Sequence, residues 1–159
     1  MSVELISLLN QAIAREMQVS IQYIAQHCTA VGEGAAVPGR TPSARRAKFV
    51  ASNWPVWLPG STLKQIAITE MKHAEAIIER VVVLGGEPAT EPSPITVGTT
   101  IEEMLALDRE QEREAIELYR RIIGVARDEG DDVTMNLFEQ ILSDEQAHHR
   151  TFSDLIEED

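Results

Sequence analysis

Apolar side chains recur every three or four residues through most of the chain. Over 2–31 the stripe reads Val3, Leu5, Ile6, Leu9, Ala12, Ile13, Met17, Ile21 and Ile24, which is the period of an amphipathic helix. Ser2 suits the N-cap, and Gly32 and Gly34 close the pattern. A second helix is expected from a Thr62–Gln65 capping box to Leu84, where the run GGEP stops it. A third starts at a Thr100–Glu103 capping box and continues to about Glu129. Gly130 then breaks the chain, and Asp131 or Asp132 caps a fourth helix reaching about Ile156.

The connections set the topology. Residues 33–60 are rich in Gly, Pro, Ser and Arg and end in NWPVWLPG; they read as a long loop with a helical turn near 43–51. Residues 85–98 contain three prolines and read as extended. About 14 extended residues span ~46 Å, against ~37 Å for a helix of about 25 residues. That connection can therefore run the length of a bundle and set the second and third helices parallel. The tight turn at Gly130 makes the third and fourth antiparallel, and the first two are taken as antiparallel. The expectation is an all-α four-helix bundle with a long crossover between its second and third helices, forming a single domain over 1–159.

Composition narrows the function. A chain of 159 residues can bury one core. Its net charge of −12 argues against nucleic-acid binding and suits a surface that attracts cations. No run of eighteen apolar residues is present, so no membrane helix is expected. The lone Cys28 has no internal disulfide partner and is expected to be a small buried residue. With an amphipathic rather than signal-like N-terminus, it points to a reducing cytoplasm.

The chemistry lies in a pattern that occurs twice. Glu16 is followed seven residues later by Tyr23, and the next helix carries Glu70 and His73. Glu112 is followed seven residues later by Tyr119, and the next helix carries Glu145 and His148. Glu16 to Glu70 is 54 residues and Glu112 to Glu145 is 33, an excess of 21 that is about what the long first loop would add to a duplicated helix pair. An i, i+3 spacing puts both side chains on one helical face. These faces are apolar: Glu70 shares its face with Ile66, Ala67, Ala74 and Ile77. Four carboxylates buried together repel strongly unless cations compensate them. Four Glu and two His form a ligand set for two divalent metals, the arrangement of ferritin-like di-iron bundles. Mixed oxygen and nitrogen donors favour iron or manganese over zinc, and iron is preferred. Tyr23 and Tyr119 fall near the same face, where either can hydrogen-bond a ligand or pass an electron.

The segments EMQVSIQY (16–23), AITEMKHAEAIIERVVVLGGEP (67–88), TIEEMLALDREQE (100–112) and ILSDEQAHH (141–149) resemble the bacterioferritin family. The resemblance implies that Glu16, Glu70 and His73 bind one iron, that Glu112, Glu145 and His148 bind the other, and that Glu70 and Glu145 bridge. It implies a ferroxidase that oxidises Fe(II) with O2 or H2O2 and stores ferric mineral in a shell of subunits. It also implies that Met71 ligates a haem or other iron porphyrin between two subunits. Met71 is about 100° around the helix from Glu70 and so points away from the metal core. The chain ends shortly after His148, without the fifth helix of full-length bacterioferritins. On that ground a homo-oligomeric shell of 12 subunits built from dimers is expected, or else an assembly that is no cage.

Other features carry less. The 33–60 segment, with Arg40, Arg45, Arg46, Lys48, Trp54 and Trp57, reads as a surface loop folded on its tryptophans, or else a subunit contact or cofactor cover. His27 reads as a packed or exposed histidine rather than a transient iron site, and His149 as exposed. A competing function is a di-iron oxidase or peroxidase without storage. Rubrerythrin-like peroxidases carry an extra carboxylate beside the Glu-x-x-His; here residue 69 is Thr and residue 144 is Asp. A third is a haem-carrying electron-transfer or structural bundle.

Overall fold

The computed structural model describes residues 2–34 and 60–157. The expected 33–60 loop, its helical turn and Trp54 and Trp57 lie outside the described residues apart from the loop's two ends. Among the described residues four helices form: α1 (Val3–Gly34), α2 (Gly60–Val83), α3 (Ile101–Asp128) and α4 (Asp132–Glu157).

Most of the helix ends follow the local chemistry. Ser2 Oγ accepts the Leu5 amide at 3.1 Å. The Thr100–Glu103 capping box is present in both directions. Of the two candidates for the α4 cap, Asp131 takes the role: its Oδ1 accepts the Thr134 amide at 3.0 Å. Gly130 ends α3 with φ +71, a conformation that favours glycine. Two boundaries differ from expectation. α2 begins at Gly60, so Thr62 lies inside its first turn and does not cap it. The T-x-x-Q spacing is common inside helices and mimics a capping box there. α1 continues to Gly34, because glycine weakens a helix without forbidding it.

The crossover runs beside α1 in the direction of α1. Asn10 pins its start, with Nδ2 donating to Glu87 O at 3.0 Å and Oδ1 accepting from Ala89 N at 2.8 Å. Ser93 N then donates to Ala14 O at 2.9 Å, and Gln26 Nε2 donates to Val97 O at 3.0 Å. A Cβ on Gly86 would meet the Ile6 and Val81 side chains at 3.0 Å, so glycine lets the chain turn tightly against α1 there. The crossover therefore leaves α2 near the start of α1 and enters α3 near its end. α1 is antiparallel to α2 and α3, α2 and α3 are parallel, and Arg80–Asp131 at 2.6 Å with His73–Asp144 at 3.1 Å sets α2 against α4.

Two apolar cores result. One gathers Leu5, Leu9, Ile13, Ile77, Val81, Ile122 and Phe138. The other gathers Val19, Leu63, Ile66, Leu105 and Phe152. A buried polar layer separates them, supplied by the middle of all four helices.

Candidate metal centre

Glu16, Glu70, Glu112 and Glu145 are each fully buried, and His73 is nearly so. Their carboxylates and imidazoles converge in two overlapping groups. One is Glu16, Glu70, His73 and Glu145; the other is Glu70, Glu112, Glu145 and His148. Within each group the ligand-type atoms lie within 4.8 Å of one another, and Glu70 and Glu145 belong to both. The structure thus brings together all six side chains that the repeated pattern singled out.

The two histidines present Nδ1 to the carboxylates. His73 Nδ1 is 2.9 Å from Glu70 Oε2 and 3.1 Å from Glu145 Oε1. His148 Nδ1 is 2.9 Å from Glu70 Oε1, but that pair is not aligned as a hydrogen bond. Four buried atoms, Glu16 Oε2, Glu70 Oε1, Glu145 Oε1 and His148 Nδ1, have no hydrogen-bond partner among the described residues. Orphaned buried acceptors are costly. Here they face shared space, and the donor set fits a pair of divalent cations.

The tyrosines act across the bundle. The Tyr23 hydroxyl on α1 donates to Glu112 on α3, and the Tyr119 hydroxyl on α3 donates to Glu16 on α1. Each ring is fixed by an aromatic neighbour: Phe152 lies 5.5 Å from Tyr23, and Phe138 lies 5.2 Å from Tyr119 in an edge contact.

Electrostatics reflect crowding. Burial, then the Glu70 charge, pushes Glu16 well above the ordinary carboxylate range. Burial and the Glu145 charge do the same to Glu112. Burial also pushes Glu145 up to about 7, despite Arg15. Burial opposes the charge on His73, but the Glu145 and Glu70 oxygens 3.1 and 2.9 Å from Nδ1 outweigh it and raise His73 to about 11. His148 is raised in the same way by Glu70. Burial would raise Glu70 too, yet the two histidines together hold it well below its usual range.

Sequence reasoning missed Arg15. Its side chain is buried, with Nη1 3.2 Å from Glu16 Oε1 and 3.3 Å from Glu145 Oε2, and Nη2 3.2 Å from Glu112 Oε2. Burial disfavours its charge, but the Tyr119 oxygen and three carboxylates hold its pKa above the ordinary value. The signal was present: Arg15 is three after Ala12 and four before Val19, both fully buried, so the helical period places it inside. A second polar cluster lies further along α1. Gln22 and Gln26 both donate to Asp108 Oδ1 at 2.9 Å, and Asp108 Oδ2 has no partner among the described residues.

The remaining candidates are dispersed. Met71 is 55% exposed on the outer face of α2. His27 is half-buried, with Nδ1 unpartnered among the described residues. His149 is half-buried rather than exposed. Cys28 is exposed, not buried: it lies two turns beyond Ile21, on the outward face of α1. No helix among the described residues is long and apolar enough to cross a membrane.

Residues 60–159 match the ferritin-like domain family. The bacterioferritin of Desulfovibrio desulfuricans is 34% identical over 146 residues, covering 91% of this chain and 70% of that one. That of Streptomyces coelicolor is 42% identical over 92 residues, 55% of each chain. Among solved structures, D. desulfuricans bacterioferritin, described with its diiron site in different catalytic states, superposes with a TM-score of 0.77 at 30% identity, covering 97% of this chain and 78% of that one. Rhodobacter capsulatus bacterioferritin, with a metal-free dinuclear site and a haem iron in a crystallographic special position, gives a TM-score of 0.77 at 25% identity, covering 99% of this chain and 86% of that one. A four-helix bundle with a buried Glu/His centre, joined to relatives of this kind along nearly its whole length, belongs to the bacterioferritin family.

Proposed function

We propose that this chain is a ferroxidase that oxidises Fe(II) and stores the ferric product as mineral inside a homo-oligomeric shell. The observation that carries this reading is the buried pair of overlapping Glu/His groups with four unpartnered atoms between them. Glu16 and His73 would hold one ion and Glu112 and His148 the other, with Glu70 and Glu145, which belong to both groups, shared between them. Two Fe(II) ions bound there would supply two electrons, enough with two protons to take O2 to H2O2 or H2O2 to water.

The protein's contribution is preorganisation. Tyr23 and Tyr119 each fix a terminal glutamate from the opposite helix pair. The surrounding carboxylates favour the charged form of both metal-free histidines, so ligation competes with protons there. Loading therefore releases protons, and binding tightens as pH rises.

Met71 is the proposed ligand of a haem or other iron porphyrin shared by two subunits. Its exposure supports this, as does Ile68 one turn earlier on the same face, 39% exposed. The haem iron of the R. capsulatus relative supports it as well.

Anaerobic titration of the metal-free chain is expected to saturate at two Fe(II) per chain. Added O2 or H2O2 then oxidises them, and further Fe(II) accumulates as many irons per subunit in a large assembly. A chain that holds no transition ion overturns the proposal. A Soret band in protein made with adequate haem supply, lost in Met71→Leu, is the expected result for the porphyrin.

One observation favours a second reading, a di-iron oxidase or peroxidase without storage. Asp144, beside Glu145, reaches the outer nitrogen of His73, Nε2, at 3.1 Å, and so places an extra carboxylate behind a ligand of the centre. A dimer that turns over peroxide with two irons per chain and deposits no mineral is the result that would select it.

A further inference from the structure

The two halves of the centre are not equivalent, and Arg15 is the reason. The guanidinium occupies oxygens that face His148. Glu112 Oε2 and Glu145 Oε2, the oxygens of those residues facing His148 Nδ1 at 4.0 and 3.9 Å, each take an Arg15 hydrogen bond. The other Glu112 oxygen is held by Tyr23. On the opposite side, the oxygens facing His73 Nδ1 are Glu16 Oε2 at 3.9 Å and Glu145 Oε1 at 3.1 Å. Neither has a hydrogen-bond partner among the described residues.

A second contrast points the same way. His73 Nε2 meets the Asp144 carboxylate at 3.1 Å, an outer partner that makes an imidazole a stronger metal ligand. The residue in the matching position on α2 is Thr69, and its hydroxyl turns back to Gln65 O at 3.2 Å. One half thus has a supported histidine and two free oxygens facing it, because Arg15 meets Glu16 only through Oε1. In the other half Glu70 Oε1 is free among the described residues, but the Glu112 and Glu145 oxygens that face His148 are both bound to the guanidinium.

Arg15 also has somewhere to go. It lines a surface groove of about 810 Å³ between α1, α3 and the crossover, together with Gln18, Ser93, Gln111 and Glu114. Gln111 O already accepts from Nη2 at 3.1 Å.

We propose that Arg15 stands in for a metal on the Glu112–His148 side of the metal-free centre. The Glu16–His73 side then fills first, and the second ion enters by displacing the guanidinium towards the groove. Arg15 is a positioning residue that sets the order and spacing of loading. This rests on the two-metal reading above.

The test is anaerobic titration of the full chain with Co(II) alone, followed by calorimetry and by Co(II) absorption. The wild-type protein is expected to show two binding events whose dissociation constants differ at least ~10-fold, the scale of effects from partners around a metal site. Crystals grown with one equivalent of Co(II) should show anomalous scattering beside His73. Arg15→Gln should bring the two events to within a few-fold by tightening the second, and Arg15→Lys, which keeps the charge, should restore the gap. A single event taking up two ions with equal affinity, a first ion beside His148, or an unchanged gap in Arg15→Gln overturns the proposal. If Arg15→Gln does not fold, the wild-type isotherm and the one-equivalent crystal still decide. Absence of any Co(II) binding in the wild type would instead defeat the two-metal reading itself.

Discussion

The α1–α2 pair and the α3–α4 pair carry the same ligands in different surroundings. Each offers a glutamate, a tyrosine seven residues on, and a Glu-x-x-His from its second helix. Around that frame the pairs diverge. Arg15 precedes Glu16, whereas Gln111 precedes Glu112; Thr69 precedes Glu70, whereas Asp144 precedes Glu145. Four residues before the first glutamate is Ala12, in an apolar core; four before the third is Asp108, buried with two glutamines. A repeated ligand pattern therefore specifies where metals go, and the unrepeated neighbours specify how tightly each is held.

The largest effect is expected where the two pairs share residues. Glu70 and Glu145 belong to both groups, while His148 belongs to one. Glu145→Gln should remove high-affinity binding of both ions and slow Fe(II) oxidation beyond the ~10–100-fold typical of losing an outer partner. His148→Ala should leave one ion per chain. Metal stoichiometry by elemental analysis checks both, and two ions retained in Glu145→Gln would refute the shared role.

The tyrosines offer a finer contrast. They look equivalent in sequence, but their acceptors differ. Glu16 Oε1 takes hydrogen bonds from both Tyr119 and Arg15. Glu112 Oε1 takes its hydrogen bond from Tyr23. Tyr23→Phe leaves a buried acceptor bare and should cost about 1–3 kcal/mol in the metal-free protein. Tyr119→Phe, with Arg15 still in place, should cost less. Chemical unfolding of the two metal-free variants checks the order.

Legibility followed the same division. The helices, the crossover and the six converging side chains could be read because hydrophobic period and i, i+3 spacing are local properties. The T-x-x-Q at Thr62 misled because a capping box is recognised by spacing alone, and the same spacing occurs inside helices. Arg15 was missed because arginine is expected outside, and its burial becomes favourable only with three carboxylates brought from α1, α3 and α4. Cys28 was misplaced for the converse reason: a small residue type was weighed above its phase on α1. The link between Asp144 and His73 joins α4 to α2, and no local pattern announces it.

Asp108 and Ala12 allow the comparison to be altered by a single atom. Burial pushes Asp108 up to about 7, against the opposing hydrogen bonds from Gln26 and Gln22. An acid raised on folding takes up a proton relative to the unfolded chain, so stability falls as pH rises from about 4 towards 7. Asp108→Asn keeps an acceptor for both glutamines and can donate to Gln26 Oε1, which lacks a partner among the described residues. It should stabilise the protein at pH 8 by up to a few kcal/mol, at about 1.4 per pKa unit, and change little at pH 4. A melting temperature that does not rise at pH 8 counts against the buried charge.

The smallest expected difference lies at the helix caps, one exposed and one buried. Thr100 caps α3 through a hydroxyl, which does not titrate. Asp131 caps α4 and also binds Arg80 at 2.6 Å. Burial would raise the Asp131 pKa, but its bonds to Arg80 and Thr134 more than offset that and hold it low. Its contribution is therefore present above the unfolded carboxylate value of about 4 and is lost as pH falls through the lower folded one. Each cap removed by alanine should cost about 0.5–2 kcal/mol at pH 7, with Asp131→Ala towards the upper end because Arg80 loses its partner. On acidification the two should part: the penalty of Thr100→Ala persists, while that of Asp131→Ala shrinks as the wild-type carboxylate is itself neutralised. Parallel penalties at both pH values would mean that the Arg80–Asp131 pair adds nothing to the cap.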